Sequence, residues 1–194
     1  MKFLAQVLLF LLLVPLQVLA AQSDFETAIA KIFAERPYEL NLGLLQAPDP
    51  KPLKIGTFSP DQNTNSKGLQ IISEGRVFPF RYEIISVENV PSADILETIV
   101  NAEKNDPEAI LLEKLSNDVL GTYVHYFRRV STNGKPRYIS SNYIFLKGSN
   151  FFHLSAANYA PMVFKKNMEA WGEIEPDKLA EDAAQLLLKA FRAK

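Results

Sequence analysis

The chain holds two histidines, His125 and His153, each inside a run that alternates like a strand: "GTYVHYFRRV" and "NFFHLSAANY". Imidazole is the side chain that titrates near neutral pH and ligates metals most readily, so what shares space with these rings matters first. A third run, "RYISSNYIFLK", lies between them. Asn133-Gly134 and Gly148-Ser149 join the three as two-residue hairpin reversals. Tight reversals set register. Counted from these turns, His125 is expected opposite Asn142 and Tyr123 opposite Ile144. Likewise Asn142 is expected opposite Ser155, and Ile144 opposite His153.

Side chains alternate across a sheet, so this register predicts one face carrying Tyr123, His125, Asn142, His153 and Ser155. Aromatic bodies with polar tips are the make-up of surfaces that receive a ligand or a partner protein. The opposite face, with Val124, Tyr126, Tyr143, Phe145, Phe152 and Leu154, is apolar and needs a cover. The two histidines are then two strands apart and two residues out of step, roughly 11–12 Å between attachment points. Metal bonds of about 2 Å do not span that, so no shared ion is expected. Taken singly, each histidine reads first as a hydrogen-bonded structural residue, with a ligand contact as the sharper alternative. The face as a whole has a plain alternative too: cover by the first or second helix.

"SPDQNTNSKG" opens like a calcium loop, with Asp61, Asn63 and Asn65 at alternate positions. Such a loop needs glycine sixth and a bidentate acid twelfth. Here those places hold Ser66 and Ile72, and one carboxylate remains, so the stretch reads as a solvated loop. The chain has no cysteine, no Gly-x-Ser-x-Gly elbow, no phosphate-cradling glycine loop and no His-Glu-x-x-His. Arg128 and Arg129 point to opposite faces, and Glu181-Asp182 reads as the solvated side of a helix. No metal or cofactor is expected, and an enzyme of hydrolase type ranks third among the functions considered.

The elements that must position these residues are legible along the chain. "MKFLAQVLLFLLLVPLQVLAAQS" has one cation, an apolar run and small residues before Gln22, the layout of a secretory leader cleaved after Ala20 or Ala21. The alternative is a retained anchor, which Pro15, Gln6 and Gln17 weaken. Cleavage removes Lys2 and takes the formal charge from −1 to −2. A chain with 21 Lys and Arg against 22 Asp and Glu lacks the basic footprint of a nucleic-acid binder. After the leader, Ser23–Glu26 reads as a capping box for a short helix that Pro37 ends. Extended pieces follow around residues 38–45 and 53–58, flanking the proline-rich "QAPDPKPLK".

From Gly68 the pattern is strand-rich: "LQIISEG", "RYEIISVENV", then "AILLEKLS" and the three runs above. Between them Ser92 is placed as the N-cap of a helix striped by Ile95, Ile99 and Ala102. Residues 161–171 and a helix from Pro176 close the chain. In the last helix Leu179, Ala183, Leu186, Leu187, Ala190 and Phe191 are expected to share a face that suits a sheet. The division expected is leader 1–20, helix and proline-rich segment 21–67, and sheet domain 68–194. The fold class is α+β: an antiparallel meander packed with helices as an α/β/α sandwich, the amphipathic C-terminal helix lying on the sheet.

This order of elements, from Gly68 to the end, resembles the Mog1/PsbP-like group of α/β/α sandwich proteins. The resemblance rests on organisation, without a diagnostic motif. It implies binding and assembly of partner proteins, with no shared active site whose residues could be carried over. A helix-grip fold of the START type also closes with a helix on an antiparallel sheet, and would imply a lipidic ligand. The function expected is therefore an exported, non-enzymatic binding or accessory protein of the periplasm or cell envelope. Its partner is an envelope protein or a small apolar ligand. The first alternative is a lipid carrier of helix-grip type.

Overall fold

Alternating apolar runs separated by turn residues build a sheet, and the computed structural model shows which run pairs with which. It describes residues 27–46, 52–60, 65–74, 79–90, 94–132, 135–158 and 176–194. The leader, the capping box, Asp61 and Asn63, Ser92, Asn133-Gly134 and the 161–171 segment lie outside the described residues. Two compact units are present, Met1–Arg36 and Pro37–Lys194. In the first, helix α1 spans residues 27–34. After it the Arg36 amide donates to the Phe33 carbonyl at 3.2 Å.

The second unit holds β1 (Tyr38–Leu40), α2 (Leu42–Gln46), β2 (Lys54–Phe58), β3 (Ser66–Glu74) and β4 (Pro79–Val87). Then come α3 (Ile95–Glu103), β5 (Ala109–Asn117), β6 (Gly121–Thr132), β7 (Lys135–Lys147) and β8 (Asn150–Asn158). Helix α4 (Pro176–Ala190) and β9 (Phe191–Ala193) finish it. The main sheet runs β2-β3-β4-β8-β7-β6-β5 with antiparallel neighbours throughout, and β1 pairs with β9. Sequence neighbours β5 to β8 form the expected meander. Strand β4 joins it beside β8, so the chain crosses one face as α3 before entering β5 at the far edge. The architecture is α+β, with α3 on one face and α4 on the other.

The α4 face carries rows of buried side chains. Leu69, Ile84, Leu154 and Tyr143 lie in register across four strands, and Ile71, Tyr82 and Ala156 form the next row. Against them α4 presents Ala180, Ala183, Ala184, Leu187 and Ala190, all buried. Small residues let the helix approach closely, and each large apolar side chain removed from water contributes about 1.5–3 kcal/mol. Beyond α4, Phe191 packs on Phe152 at 5.2 Å between ring centroids, and Tyr38 packs on Phe152 at 6.2 Å. The short β1–β9 pair thus seats an aromatic cluster at one end of the core. On the other face, Leu96 and Val100 of α3 pack with Val124, Tyr126, Ile144 and Phe151.

Register departs from expectation at one hairpin. Around Gly148 the pairs are as read, with Asn142 opposite Ser155 and Ile144 opposite His153. Gly148 has φ +59°, the conformation its turn needs. Between β6 and β7, however, the ladder shifts after Thr132↔Lys135 and Ser131↔Pro136. The next pair is Val130↔Tyr138, which leaves Arg137 as an extra residue. This β-bulge puts His125 opposite Tyr143 and Tyr123 opposite Phe145. A slip of one residue moves a whole strand's side chains to the other face. Tyr123 and His125 therefore stand on the α4 face, while Asn142, His153 and Ser155 stand on the α3 face. The common face expected for all five does not exist.

Two local elements also differ. Residues 42–46 form α2 rather than an extended piece, with Asn41 at its start: the Leu44 amide donates to the Asn41 carbonyl at 3.2 Å. Helix α3 has Asp94 at its N-cap, where Thr98 donates to the Asp94 carbonyl oxygen. Strand β2, drawn from the segment before Gly68, is part of the main sheet. Its Phe58 ring lies over Gly68, where a Cβ would fall 2.6 Å from ring carbons, so a side chain there would have to push the ring aside.

Candidate functional site

Two polar clusters result from this sorting, one on each face. On the α4 face the Glu181 carboxylate accepts from His125 Nε2 at 3.0 Å, Ser141 Oγ at 2.6 Å and Gln185 Nε2 at 2.8 Å. The Tyr143 hydroxyl donates to it as well. Glu181 is thus not the solvated residue its helix pattern implies. Burial alone would raise its pKa, but these four donors outweigh burial and pull it down to about 2. Burial and then the bond to Glu181 push the Tyr143 phenol up, so it stays a donor. The His125 ring stacks on Tyr143 at 4.4 Å.

Serine, histidine and glutamate together invite comparison with a nucleophile relay, and the geometry argues against it. A relay needs one ring nitrogen on the acid and the other on the serine. Here Nε2 of His125 meets both, with Ser141 Oγ at 3.1 Å. The Ser141 hydroxyl is wholly buried and spends its proton on Glu181. This cluster is a clamp that fixes α4 to the sheet.

On the α3 face, beyond the C-terminal end of α3, the described residues leave a cavity of about 280 Å³. Its floor follows from register. Arg128, Ser140, Ala157 and Arg81 form one row across β6, β7, β8 and β4, and Tyr126, Asn142, Ser155 and Glu83 form the next. Small residues in the middle of both rows leave the space, and the long charged ones at the ends wall it. Of the five residues picked from sequence, Asn142, His153 and Ser155 line this cavity. Tyr123 and His125 do not.

The floor is hydrogen-bonded into one arrangement. Asn142 Nδ2 donates to Ser140 Oγ at 3.0 Å and to the Ser140 carbonyl at 3.3 Å. A carbonyl can only accept, which orients the amide and turns Asn142 Oδ1 to His153 Nε2 at 3.2 Å. His153 must then carry its proton on Nε2, leaving Nδ1 as an acceptor. Burial, and then the charge of Arg128, hold the His153 pKa down to about 4, so the ring is neutral at pH 7.

On the walls, Arg128 uses Nη2 alone for both oxygens of Glu103, at 2.9 and 2.7 Å, and for Asp106 at 3.0 Å. Opposite, Glu83 uses Oε1 for both Arg81 and Gln70. Arg81, Glu83, Glu103, Tyr126 and Arg128 were not singled out from the sequence. Tyr126 and Arg128 are β6 residues displaced by the bulge, and the one local signal for it is Pro136, since proline inside a strand favours a bulge or an edge. The histidines stand on opposite faces and cannot share an ion. Among the described residues no three His, Asp or Glu side chains group as a metal site.

No protein-family model matches this chain, and no curated protein matches it. Among solved structures it is similar to the cyanobacterial PsbP protein CyanoP from Synechocystis sp. PCC 6803. That likeness has 10% identity and a TM-score of 0.39, over 72% of this chain and 92% of the other. It is also similar to LpqN, involved in cell envelope biogenesis of Mycobacterium tuberculosis. There identity is 15% and the TM-score 0.36, over 74% and 84% of the two chains. The resemblance to the Mog1/PsbP-like group remains one of element order. No described helix is long and apolar enough to cross a membrane.

Proposed function

We propose that this chain is an exported, non-enzymatic binding protein whose working site is the cavity on the α3 face. The supporting observation is the floor itself: Asn142 bonds to both Ser140 and His153, which holds the polar groups of the cavity in one arrangement. Preformed pockets with a few oriented polar groups are how proteins receive small molecules or single side chains of a partner. The leader-like first residues support export, and the absence of cysteine is compatible with it. An accessory role in the envelope fits this reading, the cavity taking a ligand or part of a partner.

A lipid carrier of helix-grip type would hold its ligand between α4 and the sheet. There Ala180 and Leu187 are wholly buried and Glu181 is bonded to three strand residues, which weighs against that reading. A hydrolase is weighed down by the clamp geometry of Ser141, His125 and Glu181.

The test is expression of the full chain with its own first residues, followed by fractionation and native mass spectrometry of the exported form. The expected result is a mature chain beginning at Ala21 or Gln22. It should also carry a bound small molecule or partner that the cavity-filling substitution Ala157→Phe releases. A chain retained in the cytoplasm, or binding untouched by Ala157→Phe, would overturn the proposal.

A further inference from the structure

What the cavity can take follows from which of its groups are already spent, granted the reading above that it is the working site. Its charged lining residues are Arg81, Glu83, Glu103 and Arg128, two of each sign. They are spent on one another. Arg128 holds Glu103 and, outside the lining, Asp106 on its Nη2, and Arg81 holds Glu83. A ligand carboxylate would have to take Arg128 from two acids, and a ligand cation would share the cavity with two guanidinium groups. Either exchange gives up charge-assisted bonds and strips a further charge of water. A neutral molecule leaves both pairs as they are.

The polar groups that remain are single and scattered. Ser155 lines the cavity and is only 8% exposed, yet its hydroxyl makes no hydrogen bond among the described residues. Ser140, on the neighbouring strand, accepts from Asn142 at its Oγ and gives its own proton to no described residue. On the walls, Glu83 spends Oε1 on Arg81 and Gln70 and keeps Oε2, and Arg128 keeps the N–H groups other than those of Nη2. With Nη2 taken, Arg128 offers one-point contacts. A hydroxyl donates and accepts through one atom, so it meets each of these groups in turn. A buried hydroxyl without a partner, as at Ser155, gains its bond when such a ligand arrives.

We infer that the cavity binds a small neutral polyol the size of one sugar ring, its hydroxyl groups bonded to Ser155, Ser140 and the unspent atoms of Glu83 and Arg128. Size agrees: 280 Å³ equals about nine water molecules at ~30 Å³ each, enough for one pyranose and too little for a lipid chain. Tyr126 and Tyr138 also line the cavity and supply carbon surface for the C–H side of such a ring.

The experiment is calorimetric titration of the mature chain with glucose, galactose, mannose and arabinose, then with the amino and uronic-acid derivatives of whichever binds. At least one neutral sugar should bind, and both of its charged derivatives about tenfold more weakly. Ser155→Ala should weaken that sugar about fivefold, the loss of one hydrogen bond. Its urea midpoint should not fall, since the hydroxyl has no partner to lose. The methyl glycoside of the same sugar separates two sources that both satisfy the inference: equal binding marks the end of a glycan, and lost binding a free sugar. The comparison of neutral with charged sugars needs no variant. A charged derivative that binds as tightly as the neutral sugar overturns the inference, and so does a folded Ser155→Ala chain of unchanged affinity. An absence of binding by all four sugars overturns it too. In each case, a different small molecule that copurifies and is released by Ala157→Phe leaves the binding-protein reading intact. If none of the four binds and nothing copurifies, both fall.

Discussion

His125 and His153 occupy opposite faces of one sheet, His125 beneath α4 against Glu181 and His153 on the floor of the cavity beside Asn142. One extra residue, Arg137 in β7, produces that separation by stepping the β6–β7 ladder. The two rings consequently meet different electrostatics, and several outcomes follow from the difference.

Glu181 ties stability to acid. Its folded pKa is depressed to about 2 from an ordinary 4.5, so its contribution is complete above pH 4.5 and is lost as pH falls toward 2. The side chain is about a quarter exposed, which reduces the share to about 2 kcal/mol. Urea unfolding at intervals from pH 5 to pH 2 should show stability dropping across that window. Glu181→Gln should be weaker at pH 7 and flatter below pH 4.5; an unchanged slope would refute the clamp.

His153 acts at a higher pH. Its folded pKa lies near 4, below the ordinary 6.5, so between those values the unfolded chain binds a proton that the folded chain does not. Stability should therefore rise as pH rises from 4 to 6.5. Ring resonances followed by NMR should show His153 neutral at pH 6, with a midpoint near 4. A midpoint at 6 or above would remove the buried, Arg128-facing ring.

The bulge can be tested directly. Deleting Arg137 leaves a ladder in which β6 must either strain or turn its other face to α4. Turning would drive Val124 and Tyr126 out of the α3 core and His125 out of reach of Glu181. The loss should exceed about 4 kcal/mol, the worth of two buried side chains and the clamp. A deletion variant with wild-type urea midpoint would mean that the register is not held by that residue.

Leu111 offers a gain instead. It has φ +52° and is 66% exposed, on β5 where the ladder shifts between Ile110 and Glu113. A left-handed leucine costs about 1–2 kcal/mol, more than the entropic cost of glycine. Leu111→Gly should stabilise by about 0.5–1 kcal/mol, read as a higher urea midpoint at unchanged slope. A lower midpoint would mean that the leucine side chain contributes packing that its exposure does not reveal.

Local chemistry is what the sequence carries alone. Alternation marked the strands, Gly148 set the β7–β8 register through its left-handed turn, and apolar spacing marked the face of α4. These depend on residues within a few positions of each other, where sterics and periodicity decide. Register between β6 and β7 needed the bulge at Arg137, which Pro136 hinted at but did not locate. Glu181 read as solvated because helical spacing shows which stripe is apolar, not what stands above its margin. Only the folded sheet brings His125, Ser141 and Tyr143 over that margin. It also sets Arg128 across from Glu83, three strands away. Such pairings unite residues distant along the chain, and the energy that selects them is burial of both faces at once.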